Sequence, residues 1–306
     1  MERIVITGAT GFLGRNLAAL FLERGARVYA LVRPDSPSRQ RLPADKNLEI
    51  VDCGLENVLD CVKVIGTADA FFHFAWGGVN RQEIDSPQVQ EKNVAGSLDC
   101  VRAASELGCR IFMDAGSRVE YGVPGAVMRE ELPCAPVNQY GKAKWEFYQK
   151  AEPLCRRLGL KYFHLRFFSV YGPGDHPWSI ISTLCRELPR GGTVPLSACR
   201  HFWNFMYIRD AVQAVYELYR HGMENPSAIV NIAGEDTRPL RAFVEEVHEA
   251  AGGKGRLEYG AFVQAKEGAL DVRPDISRLK AFTRGGWREE YSFRQGIKET
   301  IEKEEA

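Results

Sequence analysis

Along the first 170 positions apolar residues fall into two alternating textures. Arg3–Thr7, Arg27–Val32, Leu48–Asp52, Ala70–Phe74, Arg110–Ala115 and Lys161–Phe168 are short runs rich in β-branched and aromatic side chains, which reads as strands. Phe12–Arg24, Glu91–Leu107 and Tyr140–Leu158 carry apolar residues at helical spacing. Gly25 and Gly108 follow the first two of these, where a helix stops in a left-handed residue. Pro34–Pro43 is rich in turn formers. Strands alternating with helices predict right-handed crossovers and a parallel sheet covered on both faces, an α/β fold.

Beyond Tyr171 the texture changes. Pro173, Gly174, Pro177, Pro189, Gly191, Gly192 and Pro195 interrupt every period. A smaller lobe is therefore expected over residues 172–204 and 236–306, against a first domain over 1–171. Ala228–Ile232 has the look of one more buried strand, so about 205–235 is expected to rejoin the first sheet. Lys298–Glu305 reads as a solvated last helix with frayed ends. The chain shows no internal repeat and no low-complexity segment.

Composition narrows the class without naming it. The 306 residues are 45% apolar and 26% charged, with 40 acidic and 40 basic side chains. A net charge of zero argues against a broad footprint for nucleic acid or for an anionic membrane. Ile4–Ile6 is too short for a signal core or a membrane span, so a cytoplasmic protein is expected. Eight scattered cysteines without a CxxC pair read as reduced core thiols. The six histidines form no ligand-like cluster, and no metal site is expected.

The first strand runs directly into Thr7-Gly8-Ala9-Thr10-Gly11-Phe12-Leu13-Gly14. Gly8 permits a tight turn, Gly11 lets backbone approach a diphosphate, and Gly14 lets the helix pack against the strand. The helix N-terminus offers N–H groups and a positive dipole end to phosphates. Between a strand and a helix, this points to dinucleotide binding. A free ribose 2′-hydroxyl calls for an acid at the end of the second strand, and Ala30-Leu31-Val32-Arg33 has none. Arg33 either pairs with a 2′-phosphate, which favours NADP(H) over NAD(H), or is a solvated surface arginine. Asp52, ending the third strand, is a candidate for the adenine amino group or a turn residue.

Tyr140 and Lys144 are four apart at a predicted helix start, which puts both on one face. A neighbouring ammonium is expected to lower the phenol from its ordinary value near 10, giving an acid–base group for alcohol–ketone interconversion. Ser117, just past the Arg110–Ala115 strand, sits where ligands bind in open sheets. It either bonds the reacting oxygen or satisfies its own backbone as a turn serine.

Taken together these segments resemble the extended short-chain dehydrogenase/reductase family of nucleotide-sugar epimerases, dehydratases and 4-ketoreductases. TGATGFLG resembles its cofactor turn, His73-Phe74-Ala75 its H-x-A, and Asn93 to Gly96 its N-x-x-G. Ser117 to Gly122 resembles S-x-x-x-Y-G, and Tyr140 with Lys144 its catalytic pair. Arg166 to Gly174 resembles R-x-x-N-V-Y-G-P-G, and Phe205 to Ala211 its F-V-Y-V-x-D-V segment. Asp275 to Arg278 with Gly286-Trp287 resembles its C-terminal segments. The resemblance runs from residue 4 to about 287. It implies a Rossmann doubly wound parallel sheet with a smaller C-terminal substrate lobe. It implies Tyr140 as acid/base, Lys144 on the nicotinamide ribose, and Ser117 on the substrate oxygen. Gly8, Thr10, Gly11, Phe12, Leu13 and Gly14 would cradle the diphosphate, with Phe74, Ala75, Asn93 and Phe167 also at the cofactor. A nucleotide-sugar substrate follows, and so does a homodimer through the helices Glu91–Leu107 and Tyr140–Leu158.

Departures from the family pattern sharpen the expectation. Dehydratases carry Asp-Glu where this chain has Arg118-Val119, and Val119 cannot move a proton. Ser169 replaces an Asn, and Trp203-Asn204 replaces an Arg-Asp. Losing that arginine removes a phosphate cation, for which Arg200, Arg209 or Arg273 are substitutes. Trp76 and Trp203 either stack on substrate or pack in the interior. The substrate site is thus expected among Trp76, Ser117, Arg118, Ser169, Trp203, Arg209 and Arg273, while the identity of the sugar and nucleotide is expected to depend on the second lobe, mainly Gly172–Pro195, Arg200–Asp210 and Gly255–Arg273. The first reading is NADPH-dependent reduction of a 4-keto-6-deoxy sugar nucleotide. A 4-epimerase holding NAD tightly is the second, and a non-catalytic dinucleotide sensor the third.

Overall fold

The computed structural model describes residues 1–80, 82–261 and 271–305. Its centre is a seven-stranded sheet with every pairing parallel. The strands are β1 (Arg3–Thr7), β2 (Arg27–Val32), β3 (Leu48–Asp52), β4 (Ala70–His73), β5 (Ile111–Ser117), β6 (Lys161–Phe167) and β10 (Ala228–Ile232). Their order is β10-β6-β5-β4-β1-β2-β3. The order reverses between β1 and β4, and that opens a crevice at the carboxyl ends of both strands. This is the parallel α/β sheet expected from the alternation, with the doubly wound order the resemblance implies.

Helices α1 (Phe12–Glu23) and α6 (Ile208–Arg220) cover one face of the sheet. The other face is covered by α3 (Pro87–Glu106) and α4 (Gln139–Arg157), with the short α2 (Cys61–Ile65) beside them. The first face buries Phe21 of α1 against Phe72 at 5.1 Å and Tyr219 at 5.5 Å between ring centres. The second buries Phe147 of α4 with Phe71 and Phe112. Each aromatic of this size contributes about 3–5 kcal/mol when fully packed, so both layers are held firmly to the sheet.

The remaining elements are β7 (Ser169–Tyr171), α5 (Ile180–Glu187), β8 (Thr193–Leu196), β9 (Phe202–Tyr207), β11 (Thr237–Pro239), α7 (Leu240–Ala250), β12 (Arg256–Tyr259), α8 (Ser277–Phe282) and α9 (Phe293–Glu305). They form a three-stranded sheet, β11-β9-β7, and a two-stranded one, β12-β8. Their core is continuous with the α1/α6 face: Leu184, Phe205, Phe243 and Ile297 belong to the same buried cluster as Ile4, Phe21 and Val230. The chain leaves the main sheet after Phe167 and returns at Ala228, where β10 pairs with β6.

Several elements differ in extent from the pattern-based expectation. α3 starts at Pro87, a turn before Glu91, with Ser86 at its N-cap and proline in its first turn, where a missing N–H costs nothing. β5 continues through Gly116 and Ser117 because β6 pairs with it to the end. α9 starts at Phe293, five residues before Lys298, because Ile297 and Ile301 are buried against α5 and α7. Residues 262–270 of the expected Gly255–Arg273 segment lie outside the described residues.

Candidate active site

β1 delivers the chain to Gly8 at φ +66°, and a Cβ there would sit 2.6 Å from the Ala75 nitrogen. A Cβ on Gly14 would collide with the Gly8 carbonyl. Glycine is therefore required at both, once for a left-handed turn and once for close packing of α1 on β1. Gly11 caps α1 with no side-chain bond, which leaves the first amides of the helix open to an anion.

The β4 end is shaped to match. Thr7 Oγ1 accepts from Phe74 N at 3.1 Å and Ala75 N at 3.2 Å. Its own proton then goes to His73 Nδ1 at 2.8 Å, so Nε2 of the ring donates to Ser97 at 2.7 Å. Burial drops His73 to about 3, which keeps this clamp neutral. Asn93 on α3 bonds both the N–H and the carbonyl of Gly77.

A cleft of about 860 Å³ opens between these pieces. Gly8, Thr10 and Gly11 line it, with Arg33 and Ser36 past β2, Phe74 to Gly77 past β4, and Asn93 and Gly96 on α3. Of the residues expected at a cofactor, Phe12 and Leu13 are half-buried at the start of α1, and Phe167 packs edge-on against Phe74 at 5.8 Å. Asp52 is outside the cleft. It is exposed and paired with Arg39 at 2.5 Å, while the following Cys53 and Gly54 line the wall. The uncapped helix start, the glycine cradle and the volume of the cleft fit a dinucleotide.

Beside Trp76 at one end of the cleft, Ser117, Tyr140 and Lys144 come together. Asn138 caps α4 by accepting from Gly141 N at 2.8 Å, which sets the pitch of the Tyr140–Lys144 turn. Lys144 Nζ donates to the Ala115 carbonyl at 2.7 Å. Ser117 lies beside Tyr140, close enough to favour its ionised form. Trp76 lies over both: its ring centre is 3.5 Å from Lys144 Nζ, its plane is edge-on to Tyr140 at 6.2 Å, and its N–H donates to Gln90. Trp76 is therefore a half-buried wall of the centre, held in place by a cation–π contact.

The expectation that Lys144 lowers Tyr140 is corrected here. Burial pushes Tyr140 up to about 12, and Glu120 adds to the rise while Ser117 opposes it. Lys144 itself falls to about 7, because burial outweighs the support of Asp114 and Glu120. With the ammonium turned to the Ala115 carbonyl and Trp76, desolvation of the phenolate dominates.

Under β5 lies a feature the sequence reading did not find. His164 is fully buried between Asp114, 3.0 Å from Nδ1, and Glu120, 3.0 Å from Nε2. Glu120 also accepts from Arg166 Nε at 2.8 Å and from Ser117 N at 2.6 Å. Burial alone would lower His164, yet the two carboxylates raise it to about 9. Burial alone would raise Glu120, yet His164 and Arg166 carry it down to about 2. The four side chains form an alternating row of charges. Ser117-x-x-Glu120 is a capping box, and that spacing was the one local signal available.

Four of the expected substrate residues gather around β9. Arg118 stacks on Trp203 at 4.7 Å, and burial brings its guanidinium down to about 10. Ser169 begins β7, paired with Phe205 in register. Arg273 stacks on Phe202 at 3.7 Å and pairs with Asp271. Arg209 is turned to α9, where it meets Glu299 and Tyr291, and does not join the others. Asn204 is a clamp: its amide donates to Gly234 O, Asp236 O and Thr237 Oγ1 and accepts from Gly234 N. Arg15, not singled out from the sequence, bonds the Pro173 carbonyl at 2.8 Å and ties α1 to the loop after β7.

The sequence profile of the NAD dependent epimerase/dehydratase family matches residues 4–233. The chain belongs to that family. Among curated relatives it is 28% identical over 172 residues to a UDP-glucose 4-epimerase of Azospirillum brasilense, a match covering 56% of this chain. That match spans about half, 49%, of the relative's length. It is 22% identical to a CDP-abequose synthase of Salmonella muenchen, over 99% of this chain and 98% of the relative. Its fold superposes on a Thermus thermophilus UDP-glucose 4-epimerase in complex with NAD, with a TM-score of 0.82 and 21% identity over 99% of both chains. Among the described residues no helix is long and apolar enough to cross a membrane.

Proposed function

We propose that this protein is an NADPH-dependent reductase of a 4-keto-6-deoxy sugar nucleotide. The observation that carries the reading is Tyr140, held protonated by burial beside Ser117 and Lys144. A bound reduced nicotinamide would supply hydride to the keto carbon. Ser117 then orients the keto oxygen by a hydrogen bond. Tyr140 gives its proton to that oxygen as negative charge develops there, which a protonated phenol can do and a phenolate cannot. Lys144 would hold the ribose hydroxyls and would offset the charge left on Tyr140.

Arg33 supports NADP(H). It stands in the cleft at the end of β2 with Ser36 beside it and no acid at that strand end. Elimination of water needs a second proton carrier in the turn after Ser117, and the residues there do not serve. Val119 has no proton to move, and Glu120 is locked between His164 and Arg166. Arg118 on Trp203, with Ser169 and Arg273, is assigned to the nucleotide-sugar side. The homodimer through α3 and α4 and a cytoplasmic location belong to the same reading, the latter supported by eight free cysteines.

A 4-epimerase retaining NAD is the second reading, favoured by the fold shared with an NAD-bound epimerase. Titration of cofactor-stripped protein with NADPH and NADH, followed by turnover of keto-sugar nucleotides, separates them. Tighter NADPH binding, lost in Arg33→Ala, with stoichiometric release of oxidised cofactor supports the reductase. Preference for NADH, or a cofactor that survives stripping, overturns it in favour of the epimerase.

A further inference from the structure

The row Asp114–His164–Glu120–Arg166 does not line the cleft. All four side chains are at most 1% exposed. Two carboxylates and two cations sum to zero only if His164 is an imidazolium that donates from both nitrogens. Buried ionic rows are costly to desolvate and add little net stability over apolar packing. Their placement here is more informative. The row meets β5 at three positions: Asp114 itself, Gly116 and Ser117. A Cβ on Gly116 would lie 2.5 Å from His164 Nε2 and 3.0 Å from Glu120. The Ser117 N–H ends on Glu120. Between them, the Ala115 carbonyl holds Lys144.

We propose that this buried row is a positioning device for the reaction centre. It fixes the peptides that present Ser117 and Lys144, and its carboxylates keep Lys144 an ammonium able to hold the ribose. None of its members is a catalytic residue. The inference rests on Ser117, Tyr140 and Lys144 being the reaction centre, and not on which sugar is reduced.

The groups facing Lys144 are His73 from β4, Asp114 from β5, Glu120 from the turn after β5, and Tyr140 from its own helix. His73 is neutral across the working range and Tyr140 is protonated. Asp114 and Glu120 therefore supply the stabilising charge, while burial alone would drive Lys144 below its value of about 7. A ribose held by an ammonium must bind more weakly once that ammonium is lost, so cofactor affinity should fall as pH rises through that value. Neutralising either carboxylate should move the midpoint to lower pH.

The test uses the intact protein and needs no sugar. Affinity for NADH and for NADPH is measured by nicotinamide fluorescence from pH 5.5 to 9 in the parent, Lys144→Met, Glu120→Gln and Asp114→Asn. The parent should show a midpoint that Lys144→Met lacks. Either carboxylate variant should move it down by on the order of half a pH unit or more. An unmoved midpoint in the variants, or the same pH dependence in Lys144→Met, overturns the proposal. If neither carboxylate variant folds, proton NMR of the parent decides. Two strongly downfield imidazolium protons, absent in His164→Gln and persisting to about pH 9, are expected. Their absence from the parent overturns the proposal, because a neutral ring cannot donate to both carboxylates. A moved midpoint in a protein that reduces no keto-sugar nucleotide leaves this inference standing and removes the substrate assignment. Turnover with an unmoved midpoint does the reverse.

Discussion

At the residue scale the centre is defined by desolvation more than by charge pairing. Tyr140 is pushed up to about 12 and Lys144 down to about 7, so each is driven toward its neutral form. A neutral phenol is a proton donor, and this is the state that reduction requires. Tyr140→Phe keeps the ring, its packing on Trp76 and its place on α4, and removes only the proton. It should lower kcat by about 10²–10⁴-fold and leave cofactor affinity within about threefold of the parent. Steady-state kinetics beside fluorescence titration checks this, and a variant retaining parent kcat would transfer the acid role elsewhere. Arg33→Ala acts at the opposite end of the cleft. It should cost NADPH about tenfold or more in affinity and NADH little, since only NADPH carries a 2′-phosphate. Equal losses for both cofactors would place Arg33 on the shared part of the dinucleotide.

At the scale of elements, Gly14 and His164 act through the backbone they hold apart or together. A methyl at Gly14 meets the Gly8 carbonyl, so Gly14→Ala must lift α1 from β1 and move the helix amides away from the diphosphate. Affinity for both cofactors should fall by about tenfold or more, with a lower melting temperature. Unchanged affinity would mean that α1 can shift without disturbing the cradle. His164 gives a pH-dependent case. Its folded pKa of about 9 lies above the ordinary 6.5, so its stabilising contribution is complete below pH 6.5 and is lost as pH rises through 9. The stability gap between the parent and His164→Gln should therefore be larger at pH 6 than at pH 9.5, as denaturant melts at the two pH values would show. These two residues also mark what the sequence could reveal. Gly14 was legible because its role is local, three residues from Gly11 and six from Gly8. So were β1 to β6, whose apolar runs carry their own period. The His164 row was not, because Asp114, Glu120, His164 and Arg166 meet only after β5 and β6 pair, 44 to 50 positions apart for the two histidine contacts. α5 and α7 were hidden for a related reason. They are short, are flanked by proline and glycine, and are stabilised by packing on α9 rather than by their own propensity. Asn204 was legible only as a departure from a motif, and its clamp on the β10–β11 loop is purely tertiary.

For the whole molecule, the asymmetry of the two sheet faces carries an expectation about assembly. The α1/α6 face is continuous with the core beneath α5, α7 and α9, so that side is already covered. The opposite face has a single helical layer, in which α3 and α4 pack on one another. That layer leaves Leu98, Tyr148 and Leu154 only half-buried. Two copies joined through this pair would make a four-helix interface by a twofold axis, a self-complementary contact. Sedimentation should then give about twice the single-chain mass of 34.3 kDa. Leu98→Arg, which sets a charge into the middle of that layer, should shift the protein to the single-chain mass. Because the cofactor cleft opens at the carboxyl ends of the strands, the monomeric variant should still bind NADPH. A parent that sediments at the single-chain mass would sink the dimer. A variant that loses cofactor along with its partner would show instead that α3, which carries Asn93 and Gly96 into the cleft wall, is held in register by the second copy.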